Sequence, residues 1–393
     1  MLSKFLQSYL RFWARRYLKR VRPQIIAITG SVGKTSTKEA IFEVLKIHFK
    51  DQVRKSYGNL NTKNGVSLAI LGFKKSPEKI YQWFWPIKLA PFKALLGKKV
   101  EILVLEMAAD QPGDIKYITS FIKPNITVLT SIGQAHLEIF GTMEKIIEEK
   151  TQLLKVLSPD GYAILNIDDE NVKKISYGQV KTYAINQEAD IMAKNITTEI
   201  ENYIPTSKFQ IVSLAGKFLA VINTLGRATN IYPVLAAVAV AEIFNLKKEE
   251  IIEGIKNIQT QKHRMEVSKG KNNSIIIDDS YNANPLSMRA ALDTLRILPH
   301  PPAGGRKIAV LGDMLEIGKI AEEAHRLIGE YVHEIADEII TVGRLAKGYK
   351  GKHFASNKEA IEYLLSKIHE NDIILIKASN SLNFPEISEA LKA

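Results

Sequence analysis

The chain has 393 residues, 46% of them hydrophobic and 24% charged, with a formal net charge of +12 and no cysteine. That length holds two or three domains, each able to bury a core, and the composition is that of a globular protein. Without cysteine there are no disulfides, thiolate nucleophiles or thiolate metal sites, which fits a reducing cytoplasm, and the excess of cations points to anionic partners: nucleotides, phosphorylated substrates, nucleic acid or anionic lipid.

Residues 1–22, "MLSKFLQSYLRFWARRYLKRVR", carry seven basic residues and no acid. At a helical period Leu2, Phe5, Leu6, Tyr9 and Trp13 share one face, and Lys4, Arg11, Arg15, Lys19 and Arg22 the opposite one. This is the pattern of a helix lying on an anionic membrane surface; a helix packed on the protein's own surface is the alternative. The segment is too charged to span a bilayer and has no small-residue cleavage site.

Next comes a short apolar strand, "QIIAITG", then a glycine loop, then a helix from about residue 35 to 49. The loop lies in "AITGSVGKTSTKEAIFEVL" (27–45). The common phosphate-binding form is G-x-x-x-x-G-K-[ST], but Ile28 stands where its first glycine belongs. Gly30, Gly33, Lys34 and Thr35 remain, in the required strand, loop, helix order. Backbone N–H groups at the helix start would cradle phosphates, Lys34 would neutralise their charge and Thr35 would hold Mg²⁺.

Residues 80–100, "IYQWFWPIKLAPFKALLGKKV", are again aromatic and basic without acid; they dock beside the first helix or form a loop around a buried aromatic cluster. Apolar runs at 101–107, 126–132 and 161–168 alternate with helical stretches, which predicts a mainly parallel α/β sheet. Residues 189–221 read as an antiparallel extension and 230–244 as a buried helix. A second alternating series follows "QKHRME", with helices near 286–297, 319–336, 357–369 and 384–392, and predicts another doubly wound α/β unit. The hinge is expected near Gln261.

Glu106 ends the run "EILVLEM", the usual place for a carboxylate that holds Mg²⁺ or its water. His136 follows the next strand, and Lys150 sits on the helix after that. Taken together, "TGSVGKTSTK", "GNLNTKNGVSLAIL" (58–71), "LEMAADQPGDI" (105–115), "TSIGQAHLE" (130–138), "HRME" (263–266), "DDSYNANPLSMRAALDTL" (278–295) and "VLGDMLEIG" (310–318) resemble the Mur ligases. The likeness is greatest to the branch that adds D-alanyl-D-alanine to UDP-N-acetylmuramoyl-tripeptide in peptidoglycan synthesis, and runs from about residue 23 to the C-terminus. In that family the loop is G-x-x-G-K-[ST], so the absent glycine is expected.

The resemblance implies a central P-loop ATPase domain with a parallel sheet (23–261) and a C-terminal Rossmann-like α/β domain (262–393). It implies an ATP-dependent ligase that makes an acyl phosphate, which the incoming amine then attacks. Gly30, Ser31, Gly33, Lys34, Thr35 and Ser36 would bind the phosphates, Asn230 adenine and Asp279 the ribose. Arg264 would reach the phosphates on closure of the C-terminal domain. Thr35 and Glu106 would hold one Mg²⁺, and His136 and Lys150 a second, Lys150 as a carbamate; Lys34, His136 and Lys150 form the implied catalytic set. Asn59, Asn61, Asn282, Asn284, Lys377 and Ser379 are substrate-side candidates, although the residue types of "NANP" also suit a turn.

Three departures accompany the match. The family's UDP-gripping N-terminal domain is expected where the basic helix stands; Gly-Arg-His-Asn reads "GRATN" (226–230); and Lys-Gly-Ser-Arg reads "KASN" (377–380). Folylpolyglutamate synthetases, which also lack the UDP-binding domain, are the rival on architecture, but their loop and the "DDSYNANP" stretch differ. A P-loop ATPase binding nucleic acid is the rival of another class. Nucleic acid is not expected, because the basic residues cluster on a helix with an apolar face and no nucleic-acid module is present.

Overall fold

The computed structural model describes residues 2–302 and 304–393, apart from the side chains of 2–4, 228 and 229. Nine strands form the first sheet: β1 (Gln24–Thr29), β2 (Val53–Lys55), β3 (Ile102–Glu106), β4 (Ile126–Leu129), β5 (Tyr162–Asn166), β6 (Val180–Ala184), β7 (Ile191–Glu201), β8 (Ile204–Ser213) and β9 (Gly216–Ile222). Their order is β2-β3-β1-β4-β5-β6-β7-β8-β9, parallel through β7 and antiparallel beyond it. Strands buried on both faces read as unbroken apolar runs. In β1, accordingly, Ile26 and Ile28 enter one core and Ile25 and Ala27 the other.

One face is covered by helices Lys34–Phe49 and Tyr232–Ile243, the latter apolar all round and buried. The other is covered by α1 (Leu2–Val21), helix Lys63–Ile70 and helix Phe84–Leu96. Part of the apolar face of α1 expected to meet a membrane is therefore committed to the protein itself. Leu10, Ala14 and Tyr17 are fully buried, and Leu6, Tyr9 and Trp13 pack against the same core. Tyr9 Oη donates to Ile87 O (3.0 Å), Tyr17 Oη to Lys98 O (2.7 Å) and Arg20 Nε to Ala94 O (2.9 Å). Residues 80–96 thus dock beside α1, as one reading required, but their aromatic rings stay largely exposed rather than forming a buried cluster.

The second sheet contains β10 (Glu266–Lys269), β11 (Ile275–Asp278), β12 (Lys307–Gly312), β13 (Glu338–Val342), β14 (Lys352–Phe354) and β15 (Ile373–Lys377), in the order β10-β11-β15-β12-β13-β14. Only β10 runs antiparallel. Helices lie on both faces, as in a doubly wound unit. The carboxyl ends of the two sheets bound one cleft, where loops from both meet. The short strands β2, β6, β10 and β14 were not expected; three to five residues of extended chain leave too little alternation to read.

Candidate functional site

The phosphate-loop segment takes its shape from its neighbour. Ile28 lies inside β1, fully buried and in register with Glu106 of β3, so the loop starts only at Gly30. Ser31 N donates to Ser131 O (2.6 Å), Val32 N to Ser131 Oγ (3.2 Å), Gly133 N to Ser31 Oγ (3.0 Å), and Thr130 Oγ1 to Val32 O (2.6 Å). A Cβ on Gly30 would sit 2.0 Å from Thr130 Oγ1, so only glycine allows this approach. Gly33, at φ 85°, turns the chain into helix Lys34–Phe49 and leaves the first N–H groups of that helix at the cleft.

Two amines share one acceptor here. Lys34 Nζ donates to Gly30 O at 2.9 Å and Lys150 Nζ, from helix Met143–Lys155, donates to the same oxygen at 3.1 Å. Burial first, then the Lys34 charge, pushes the Lys150 ammonium down to about 7 against the pull of Asp110 and Glu149. Burial also lowers Lys34.

Glu106 Oε1 accepts from Thr35 Oγ1 (3.2 Å) and from Asn61 Nδ2 (2.9 Å), while Oε2 is buried and makes no hydrogen bond. Burial opposes its charge, yet Lys38, Lys34 and the Asn61 amide together hold the carboxyl below its ordinary range. An ionised carboxylate beside a hydroxyl, with one buried oxygen unbonded, suits a hard divalent cation. The group that sequence reasoning passed over is Lys38, fully buried, 3.6 Å from Glu106 Oε2 and 3.3 Å from Glu39 Oε1. Its spacing of four from Lys34 was the available signal.

His136 comes from the loop after β4, in a left-handed conformation at φ 58°. Its Nδ1 meets Glu316 Oε2 of the second unit at 2.9 Å, and Nε2 is 3.9 Å from Asp110 Oδ1. Burial, with Lys34 and Lys150 nearby, outweighs those carboxylates and lowers its pKa, favouring the neutral ring that ligates metals. Neither Glu316 nor Asp110 stood out in the sequence, because each acquires meaning only from a partner distant in the chain.

From the second unit, Arg264 lies between His263 and Met265, both at positive φ. Its guanidinium stacks 3.9 Å from the Tyr281 ring centre, and Nη2 reaches Thr35 Oγ1 at 3.4 Å. Asp279 lines the cleft from the same unit. It is buried, its Oδ2 is bound by Lys377 Nζ at 2.6 Å, and burial raises its pKa despite that cation. Lys377 also donates to Asn282 O (2.9 Å), so its three protons hold the 279–282 turn. Asn284 caps helix Pro285–Ile297 by accepting from Ser287 N (2.9 Å), and Ser379 Oγ accepts from Leu315 N (2.9 Å).

A cavity of about 400 Å³ is lined by Lys34, Asn59, Asn61, Glu106, His136, Arg264 and Asn282. A second cavity of about 340 Å³ shares Val32 and Gly33 with it and continues past Thr37, Asn166, Asp168, Arg227 and Tyr232. Tyr232 Oη donates to Asp168 Oδ2 at 2.8 Å. Asn230 is buried and donates to Leu225 O, so Arg227 and Tyr232 on either side of it form that wall. Ser36 is likewise buried, with Thr35 and Thr37 facing the two cavities. Of the two residues that the sequence reading gave to adenosine, Asp279 lines the first cavity, and Asn230 is buried in the chain between Arg227 and Tyr232 of the second.

Comparison with known proteins identifies both units. The Mur ligase middle domain matches residues 28–241, and the Mur ligase, glutamate ligase domain matches 263–380. The UDP-N-acetylmuramoyl-tripeptide--D-alanyl-D-alanine ligase of Bacillus subtilis is 29% identical over 391 residues, covering 96% of this chain and 78% of its own. The enzyme of the same name from Buchnera aphidicola subsp. Baizongia pistaciae is 31% identical, covering 93% and 75%. Among solved structures, the MurF ligase of Thermotoga maritima in complex with ADP superposes with a TM-score of 0.82 at 26% identity, over 98% of this chain and 83% of that one. With its short phosphate loop, its facing sheets and these matches, the chain belongs to the Mur ligase family.

Proposed function

We propose that this protein is an ATP-dependent amide ligase that joins D-alanyl-D-alanine to the terminal carboxylate of a muramoyl-tripeptide precursor in the cytoplasm. The observation that carries the reading is the convergence of Lys34, Thr35, Glu106 and His136 on one cleft between the two sheets, with Lys150 behind it on the Gly30 carbonyl that Lys34 also uses. The names of the relatives supply the substrate. We take the hinge to lie near Gln261, with residues 23–261 and 262–393 as the two bodies it joins.

ATP would lie with its phosphates over the helix start at Gly33 and its adenosine in the second cavity, beside Asp168, Arg227 and Tyr232. Lys34 would leave the Gly30 carbonyl for the β- and γ-phosphates, and Arg264 would meet the γ-phosphoryl group from the opposite wall. The acceptor carboxylate attacks the γ-phosphorus, ADP departs, and the amine of the dipeptide attacks the resulting acyl phosphate, releasing phosphate and a proton. Such a transfer needs charge neutralisation and exclusion of water more than a protein nucleophile.

Thr35 with Glu106, and His136 with Lys150, are the two sets that would hold magnesium ions. Bound Mg²⁺ would neutralise phosphate charge and align the carboxylate with the phosphoryl group. An ammonium cannot ligate a cation. A lysine with pKa about 7 is an available nucleophile for CO₂, and its carbamate would replace repulsion from Lys34 by attraction.

ADP release by the purified chain tests the reading, with UDP-muramoyl-tripeptide, its lipid-linked form or folate as acceptor, each with D-alanyl-D-alanine, D-alanine or L-glutamate. Release that needs both a muramoyl-tripeptide and D-alanyl-D-alanine is the expected result. Release only with folate and glutamate would move the protein to the folylpolyglutamate type of reaction, and no stimulation by any pair would sink the ligase reading.

A further inference from the structure

Helix Phe84–Leu96 is built inside out. Its protein-facing residues are small, Pro86, Ala90 and Ala94, while Trp85, Phe92 and Leu96 stand 60%, 59% and 70% exposed. A helix packed on a globular core shows the reverse arrangement, with large apolar groups inward. Ile80, Tyr81 and Phe84 lengthen the exposed strip toward the preceding turn. Single exposed apolar side chains are ordinary, but a contiguous aromatic strip marks a surface that something covers.

Alongside the strip runs a groove between this helix and α1, lined by Arg11, Phe12, Arg15, Arg16, Lys19 and Leu95. The two segments that build the surface, 1–22 and 80–100, hold seven and four basic residues and no acid. Arg20 is bound to Ala94 O, which fixes α1 against the helix and sets the cations beside the rings. With the inner face of α1 buried, the apolar groups left for a partner are the aromatic strip together with the exposed Phe5 and Phe12 of α1.

We propose that this face seats the protein on an anionic lipid bilayer, with the 80–96 strip at the headgroup and acyl boundary and the α1 cations on lipid phosphates. Aromatic rings and leucine beside unrelieved lysine and arginine are the composition of an interfacial helix. Among the described residues no helix is long and apolar enough to cross a membrane, so the contact is peripheral. The surface shares no lining residue with either catalytic cavity, and the inference stands or falls apart from the ligase reading.

The test is flotation of the full chain with vesicles of phosphatidylcholine, alone or mixed with phosphatidylglycerol, at low and high salt. The expected result is binding to the anionic vesicles, weakened by at least about tenfold on phosphatidylcholine alone and by salt. The double variant Trp85→Ser/Phe92→Ser and the triple variant Arg15→Glu/Arg16→Glu/Lys19→Glu should each lose at least about tenfold in partition. Their circular dichroism and ADP release in solution should match the parent, which separates surface loss from misfolding. No binding, equal binding to both vesicle types, or variants that bind like the parent would overturn the proposal. So would displacement by inorganic phosphate beyond the effect of sodium chloride at equal ionic strength, or a dimer burying this face without vesicle binding.

Discussion

Gly30 O accepts from two lysines, and an ammonium on each would place two like charges in a buried site. Making Lys150 an anion removes that conflict, which is the physical case for its carbamate. Lys150→Ala is therefore expected to lower ADP release by about 10²-fold or more, with partial recovery in acetate or formate; full activity without added carboxylate would remove the role. Lys38 is the cation nearest to Glu106 Oε2. Lys38→Met would strand a buried carboxylate, at a cost of about 3 kcal/mol in urea unfolding, and Mg²⁺ should restore more stability to that variant than to the parent. Equal Mg²⁺ effects in the two would argue against Glu106 as a ligand. The sequence made Lys34 and Thr35 legible because the loop motif is local. Glu106 was legible from its place at a strand end, His136 and Lys150 gained their meaning from the surrounding family motifs, and Lys38 was hidden among ordinary lysines.

Helix Ala321–Val332 is pinned to the loop after β12 by one imidazole. His325 Nε2 accepts from Met314 N (2.9 Å) while Nδ1 donates to Ala321 O (2.6 Å), a pair that only the neutral ring can make. Burial holds its pKa below 6.5, so the unfolded chain takes up a proton near that pH that the native ring refuses until lower pH. The stabilisation is complete above 6.5 and is lost as pH falls from there through the folded-state pKa. The urea midpoint should accordingly fall on acidification through this window, and fall less steeply in His325→Gln; an identical slope in the two would dismiss the ring as a contributor. The main elements were legible from periodicity, including α1. What α1 packs on was not, since an apolar face reports amphipathicity and not whether lipid or protein covers it. Helix Phe84–Leu96 was harder still, because apolar residues of all sizes surround it and only the fold sorts small from large.

Across the molecule, the contacts that join the sheets' carboxyl ends include two between side chains: Arg264 on Thr35, and Glu316 on His136. His263 and Met265, both at positive φ, flank Arg264 close to the proposed hinge. Glu316→Ala should loosen this closure, raising the radius of gyration of the ligand-free protein in solution scattering, with ATP and Mg²⁺ restoring the compact value; an unchanged radius would show that Glu316 carries none of the closure. This interface was the least legible part, as both contacts join residues remote in the chain. The docking of α1 spans a shorter separation that is still far from local. The acceptor of Tyr17 Oη, Lys98 O, lies 81 residues downstream, so α1 cannot take its place until the ribosome has made that whole stretch. Throughout that interval Leu10, Ala14 and Tyr17 lack the surface that finally covers them, and the helix waits on residues made after it, exposed meanwhile to chaperones and to whatever membrane is near.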